Sequence, residues 1–189
     1  MFRDILKYGL IGGLVVGGID FTMFTFAGDQ PHFEYGMLIG YTVMLVALST
    51  VFLGIKRHRD VELGGVIRFW PAFGMGLAIS LIASVCYVAA WEASQAITHA
   101  DFPTAYSNFV LAQAKAEGKA AAEIAQMARE LDEFKVMYAN PMMRLPMIFS
   151  EIFPVGVLVS LVSALLLRRP EFMPARRTAS RPPLHPQRS

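Results

Sequence analysis

Apolar residues gather in four long windows separated by polar stretches of very different length. The windows run from about Tyr8 to Ala27, Tyr35 to Ile55, Trp70 to Trp91 and Leu145 to Leu167. Each holds about 20 residues, enough for a helix rising about 1.5 Å per residue to cross a hydrocarbon core. Trp70 and Trp91 bound the third window about 30 Å apart along a helix, and indole rings favour both membrane interfaces. The fourth window stops at Arg168, Arg169 and Pro170, a basic flank followed by a residue that cannot continue a helix. The pattern predicts an all-α integral membrane protein with four transmembrane helices. Arg3 and Lys7 precede the first window as in a secretory signal, but no A-x-A-like site follows and three further spans do, so a retained helix is expected.

The connections differ in kind. The run Lys56 to Gly65 reads as a short loop of mixed charge, with Gly64-Gly65 bending the chain into the third helix. Residues 92–144 are too long for a turn and follow a helical period. Tyr106, Phe109, Val110 and Ala114 form one narrow stripe, and Gly118 interrupts. Ile124, Met127, Leu131, Phe134 and Tyr138 form a second stripe, with Glu123, Glu130, Asp132, Glu133 and Lys135 largely on the other face. Asn140-Pro141 ends it. The expectation is an extracytoplasmic helical hairpin between helices 3 and 4, either a cap covering the bundle or a lid that binds a partner or gates a ligand. Residues 1–169 then make one membrane domain. Residues 170–189, with Pro170, Pro174, Pro182, Pro183 and Pro186, read as a disordered basic tail.

Charge sets the orientation. Arg3 and Lys7 flank the first helix, Lys56, Arg57, Arg59 and Arg68 lie between the second and third, and Arg168, Arg169, Arg176, Arg177, Arg181 and Arg188 follow the fourth. The loop from Gly28 to Glu34 has no basic residue, and the long third connection carries more acids than bases. Both termini are therefore expected in the cytoplasm and the third connection outside. The sum, 17 Lys and Arg against 15 Asp and Glu, hides this asymmetry and is too mild to suggest nucleic acid. Hydrophobic residues make up 54% and charged residues 17%, against about 45–50% and about 25% in soluble domains. A single cysteine, Cys86, excludes an intrachain disulfide and a cysteine metal cage. The partners left are the lipid bilayer and, beyond it, a second copy or another membrane protein.

Two acids lie inside spans, where burial is expensive. Asp20 is past the midpoint of the first helix and Glu151 lies roughly two turns inside the outer end of the fourth. Their helices run oppositely, so both fall in the outer half of the bilayer. Tyr41 and Thr42 of the second helix, and Ser84 and Tyr87 of the third, reach similar depth. Arg144 lies on the face of Glu151, about 10 Å away along the axis, as a candidate counter-ion. Asp20, Tyr41, Tyr87, Arg144 and Glu151 thus form a candidate intramembrane polar site. It is either a cavity open to the outside that binds a small ligand or takes up protons, or a pair of acids satisfied by hydrogen bonds across helices or by interfacial water. Pro154 frees the carbonyl of Ser150 beside Glu151.

Small residues recur every four positions at Gly9, Gly13 and Gly17, at Gly36 and Gly40, and at Gly156, Ser160 and Ala164. Such spacing lets helices approach closely, first within the chain and secondarily between copies. No Walker A, H-E-x-x-H, G-x-S-x-G or Cys/His cluster occurs, and His99 with Asp101 offers only two ligands. No cofactor, metal or catalytic residue is expected.

Four runs occur in order: RHRDVELGG (Arg57 to Gly65), DFPTAY (Asp101 to Tyr106), YANPMMR (Tyr138 to Arg144) and EIFPVG (Glu151 to Gly156). A small-residue helix ending in Arg-Arg follows them. In this order and spacing the chain resembles a bacterial inner-membrane family known as domain of unknown function 4199, over essentially Met1 to Arg169. The resemblance implies a four-span protein with an outer helical insertion, no assigned activity and no catalytic residues to carry over. It departs from that family at His58, where an aromatic residue is expected. Three functions stay open. The first expectation is a non-enzymatic scaffold or partner-binding bundle. The second is a small transport-type protein, favouring oligomers, that carries a solute or proton past Asp20 and Glu151. The third is a membrane enzyme using those carboxylates on a lipid-linked substrate. The last two require both carboxyls to face the bundle interior.

Overall fold

A computed structural model describes residues 1–26, 33–99 and 101–175, with side chains described for 1–23, 38–99 and 101–175. Among these residues the chain forms six α-helices and no strand: α1 (Phe2–Phe26), α2 (Phe33–Arg57), α3 (Phe69–Thr98), α4 (Phe102–Ala116), α5 (Ala121–Ala139) and α6 (Pro141–Leu167). Four stretches are long and apolar enough to cross a membrane: Phe2–Met23, Leu38–Glu62, Phe69–Thr98 and Pro141–Leu167.

The helices outrun the apolar windows. Residues before Tyr8 are already helical, and Asp4 sits in the first turn, where the helix dipole favours an acid. The run from Lys56, expected as a loop, continues α2 to Arg57 and then forms a π-helical turn at His58–Glu62. Ion pairs of i,i+4 spacing, Lys56 with Asp60 and His58 with Glu62, hold this extra turn together. Only then do Gly64 and Gly65, at φ +66° and +96°, reverse the chain. At the other end, Asn140 both stops α5 and starts α6: its Oδ1 accepts the Met142 amide at 3.0 Å, ahead of Pro141 in the first turn.

The segment after α6 also departs from expectation at its start. The Arg59 side chain is fully buried. It donates to the carbonyls of Leu167 at 3.3 Å, Phe172 at 3.0 Å and Met173 at 2.6 Å. The Phe172 ring meets Phe52 edge-on at 6.4 Å. Residues 170–175 are therefore folded against the bundle, because a buried guanidinium needs those carbonyls. The remainder of the expected tail, residues 176–189, lies outside the described residues.

Small residues set the packing. A Cβ on Gly9 would lie 2.7 Å from Ile82 Cβ, one on Gly13 would overlap Cys86, and one on Gly17 would lie 2.8 Å from Ala90 Cβ. The partners advance together, so α1 and α3 are parallel. Gly76 meets Ser160 and Gly156 meets Ser80, a reversed order that makes α3 and α6 antiparallel. Gly12 against Thr50, and Gly54 against Tyr8, make α1 and α2 antiparallel as well. The close small residue of α2 is Gly54 rather than Gly40, which meets nothing within 4 Å among the described residues. Gly36 falls where only the backbone is described. Leu48, Val51, Ile55, Met75, Ile79, Ile152 and Leu167 fill the core. Ser80 donates across to the Gly156 carbonyl at 3.2 Å, so this buried hydroxyl is satisfied.

The two shorter helices are joined through Gly118, which takes φ +72°. Asp101 caps α4 by accepting the Thr104 amide at 3.1 Å, and His99 ends α3 in the left-handed region at φ +49°. The H-x-D pair thus serves as helix punctuation.

Candidate functional site

The C-terminal end of α3 organises a polar and aromatic layer. Tyr87 and Trp91, one turn apart, present the same face. The buried Tyr87 donates to Glu151 Oε2 at 3.2 Å, and Trp91 Nε1 donates to the Tyr138 hydroxyl at 2.6 Å. Burial pushes the Tyr138 hydroxyl of α5 up to about 12, so it stays neutral at any physiological pH. Phe102 packs edge-on against Trp91 at 5.0 Å, and Phe134 lies 5.4 Å from the Tyr138 ring. These rings dock α4 and α5 on the end of α3.

Arg144 departs from its expected role. Its guanidinium forks onto Glu92, Nε to Oε1 at 2.7 Å and Nη2 to Oε2 at 2.6 Å, rather than onto Glu151. It also lies 5.6 Å from the Tyr138 ring centre. Glu92 was missed because the apolar window closes at Trp91 while the helix runs on to Thr98. The pair is bidentate and partly buried, so it should matter more than a surface ion pair. Combining Glu92→Gln with Arg144→Gln in a double-mutant cycle should show a coupling of about 1–2 kcal/mol in detergent unfolding. Additive effects would mean that the pair holds nothing in place.

The structure splits the candidate site. Asp20 is half-buried on α1, and its Oδ2 is enclosed without a hydrogen-bond partner among the described residues. Glu151 and Tyr87 lie within its electrostatic reach. Glu151 itself is exposed at the bundle surface. Tyr41 is 53% exposed and stands apart, and Thr42 donates to its own helix at Leu38. Ser84 likewise bonds back to Ser80. Asp20, Tyr87 and Glu151 are brought together, whereas Tyr41 and Arg144 are not part of that group.

A second cluster forms at the opposite end, where α1 begins and α2 ends. His58 Nδ1 lies 3.3 Å from Asp4 Oδ2 and 3.0 Å from Glu62 Oε2. Asp4 and His58 are buried, and Arg57 Nε approaches Asp4 Oδ1 at 3.7 Å. Treating Lys56 to Gly65 as a loop concealed this. Once that run is helical, the i,i+4 spacing of His58 and Glu62 puts both on one face.

Four span-like helices in alternating directions, with two shorter helices docked by aromatic rings at one end, define a polytopic helical membrane protein. The chain belongs to the family described as Protein of unknown function (DUF4199), which matches residues 7–169. No curated protein and no solved structure matches it.

Proposed function

We propose that this protein is a non-enzymatic scaffold of a bacterial inner membrane that engages a partner protein through its outer helical segment. The starts of α1 and α3 and the ends of α2 and α6 share one end of the bundle, and the basic flanks collect there. The positive-inside rule makes that end cytoplasmic and puts α4 and α5 outside. The observation that carries the reading is a shallow, open, largely apolar groove where α5 meets α6, lined by Asp132, Glu133, Val136, Met137, Asn140 and Met143. Val136 within it is 76% exposed and Met142 beside it 79%. Flexible methionines suit a binding surface, and the acids on its rim favour a partner with an apolar anchor flanked by bases.

A photo-crosslinking residue at Met137 or Met143 should give a discrete protein adduct in native membranes, while one at Lys115 should not. Adducts with lipid alone at Met137 and Met143 would assign the groove to the bilayer and remove the proposal.

One observation favours transport through an oligomer: the enclosed Oδ2 of Asp20, unpaired among the described residues. The exposure of Glu151 counts against a route through a single chain, which needs both carboxyls inside. Unchanged stability and phenotype in Asp20→Asn would leave the transport and enzyme readings without their residue.

A further inference from the structure

We propose that Asp4, His58 and Glu62 bind a divalent transition-metal ion of the Zn2+ type at the end of the bundle where α1 begins. Two segments converge to make this site. The first turn of α1 supplies Asp4, and the π-helical turn supplies His58 and Glu62 on one face. Single π turns inside helices are frequent at functional positions. Here the turn carries two of the three donors.

The donor geometry fits an ion. Nδ1 of His58 is 3.3 Å from Asp4 Oδ2 and 3.0 Å from Glu62 Oε2, and all three atoms lie within 4.8 Å of one another. A tetrahedral ion with arms of about 2.0–2.1 Å has donor–donor edges of about 3.3 Å. A proton serves this arrangement less well. One Nδ1–H points in one direction, yet two carboxylate oxygens address the same nitrogen. An ion between them would accept a lone pair from all three.

The chemistry of the donor set agrees. One imidazole with two carboxylates suits Zn2+ and its first-row neighbours better than Mg2+ or Ca2+, which prefer oxygen alone. Asp4 is buried and Glu62 exposed, and each already has a cation beside it that an incoming ion would share or displace. Arg57 Nε is 3.7 Å from Asp4, and the Met1 amino group is 3.2 Å from Glu62. Asp4 and His58 form a buried floor while Glu62 is 41% exposed, so the ion would arrive from the Glu62 side, past the Met1 amino group.

The test uses the untagged full chain in detergent, stripped with a chelator and titrated calorimetrically with Zn2+ and, separately, Mg2+. The expected result is one equivalent of Zn2+ bound in preference to Mg2+, with a rise in Tm. Glu62→Gln, at an exposed position, should fold normally and weaken binding by at least the about 10–100-fold typical of losing an outer-shell partner. Asp4→Asn should do the same. No saturable Zn2+ binding, or Zn2+ binding that Glu62→Gln leaves unchanged, overturns the site. His58→Gln adds a third loss of binding if it folds; if it does not, Glu62→Gln decides alone.

Discussion

Gly13→Val is expected to pry α1 from α3 and to destabilise the bundle more than any other single glycine substitution. A Cβ at this position would overlap Cys86 Cβ, lie 2.9 Å from Cys86 Sγ and stand 3.4 Å from the Ala83 Cα. The Cβ of Cys86 is fixed to the backbone of α3 and cannot rotate away, so the helices must separate. Gly9 and Gly17 lie on the same seam, and a shift at Gly13 loosens their approaches to Ile82 and Ala90 too. Overpacking alone costs about 1–3 kcal/mol, and the lost neighbouring contacts put this variant at or above the top of that range. The measurements are the unfolding midpoint in detergent and the rate at which a maleimide labels Cys86. The first should fall and the second rise. Gly18→Ala provides the contrast, because nothing lies within 4 Å of a Cβ there among the described residues, and it should change stability by less than about 0.5 kcal/mol. Equal behaviour of the two variants would refute the seam.

Arg59→Met is the second large effect. The guanidinium is fully buried and serves the carbonyls of Leu167, Phe172 and Met173, together with Asp60 Oδ1 at 2.6 Å. Methionine keeps much of the volume but leaves those carbonyls without their donor and Asp60 with Lys56 alone. Breaking such a buried network costs about 3–5 kcal/mol. Water will reach the half-buried carbonyls of Phe172 and Met173, so the lower end of that range is expected. Trypsin should then cut after Arg168 much faster than in the parent protein, since Pro170 protects the bond after Arg169. Arg59→Lys should not restore protection, because an ammonium cannot present the planar fork that reaches several carbonyls at once. A lysine variant as resistant as the parent would mean that charge alone, not the fork, holds the segment.

The spans were legible because about 20 consecutive apolar residues have few other uses, and the family was legible in four short runs in order. The ends of the helices were not. Lys56 to Glu62 looks like a loop by charge, yet its acids and bases are spaced to stabilise another turn. Glu92 looked like the start of the outer segment because hydropathy stops at the membrane while the α3 hydrogen-bond ladder does not. The glycine pattern showed which residues share a helix face but not which face meets a neighbour. Gly40 and Gly54 both sit in α2, and only Gly54 is pressed against Ile79 and Tyr8. For the polar layer, depth was readable from position along each helix, whereas rotation was not. Tyr41 has the right depth and turns outward, while Tyr87 turns in. Arg144 was expected as a counter-ion to Glu151, but the acid it forks onto is Glu92 of another helix.

The parallel pairing of α1 with α3 has a consequence for synthesis. The main partner of α1 ends about 70 residues later in the chain, with the whole of α2 in between. At about 5–20 residues per second the ribosome needs about 4–14 s to deliver it. Through that interval α1 has only α2 to lean on, by way of Gly12 and Thr50, and the seam of Gly9, Gly13 and Gly17 faces lipid or whatever else occupies the insertion site. The order of translation thus makes the arrival of α3, rather than the insertion of α1, the moment at which the bundle is committed.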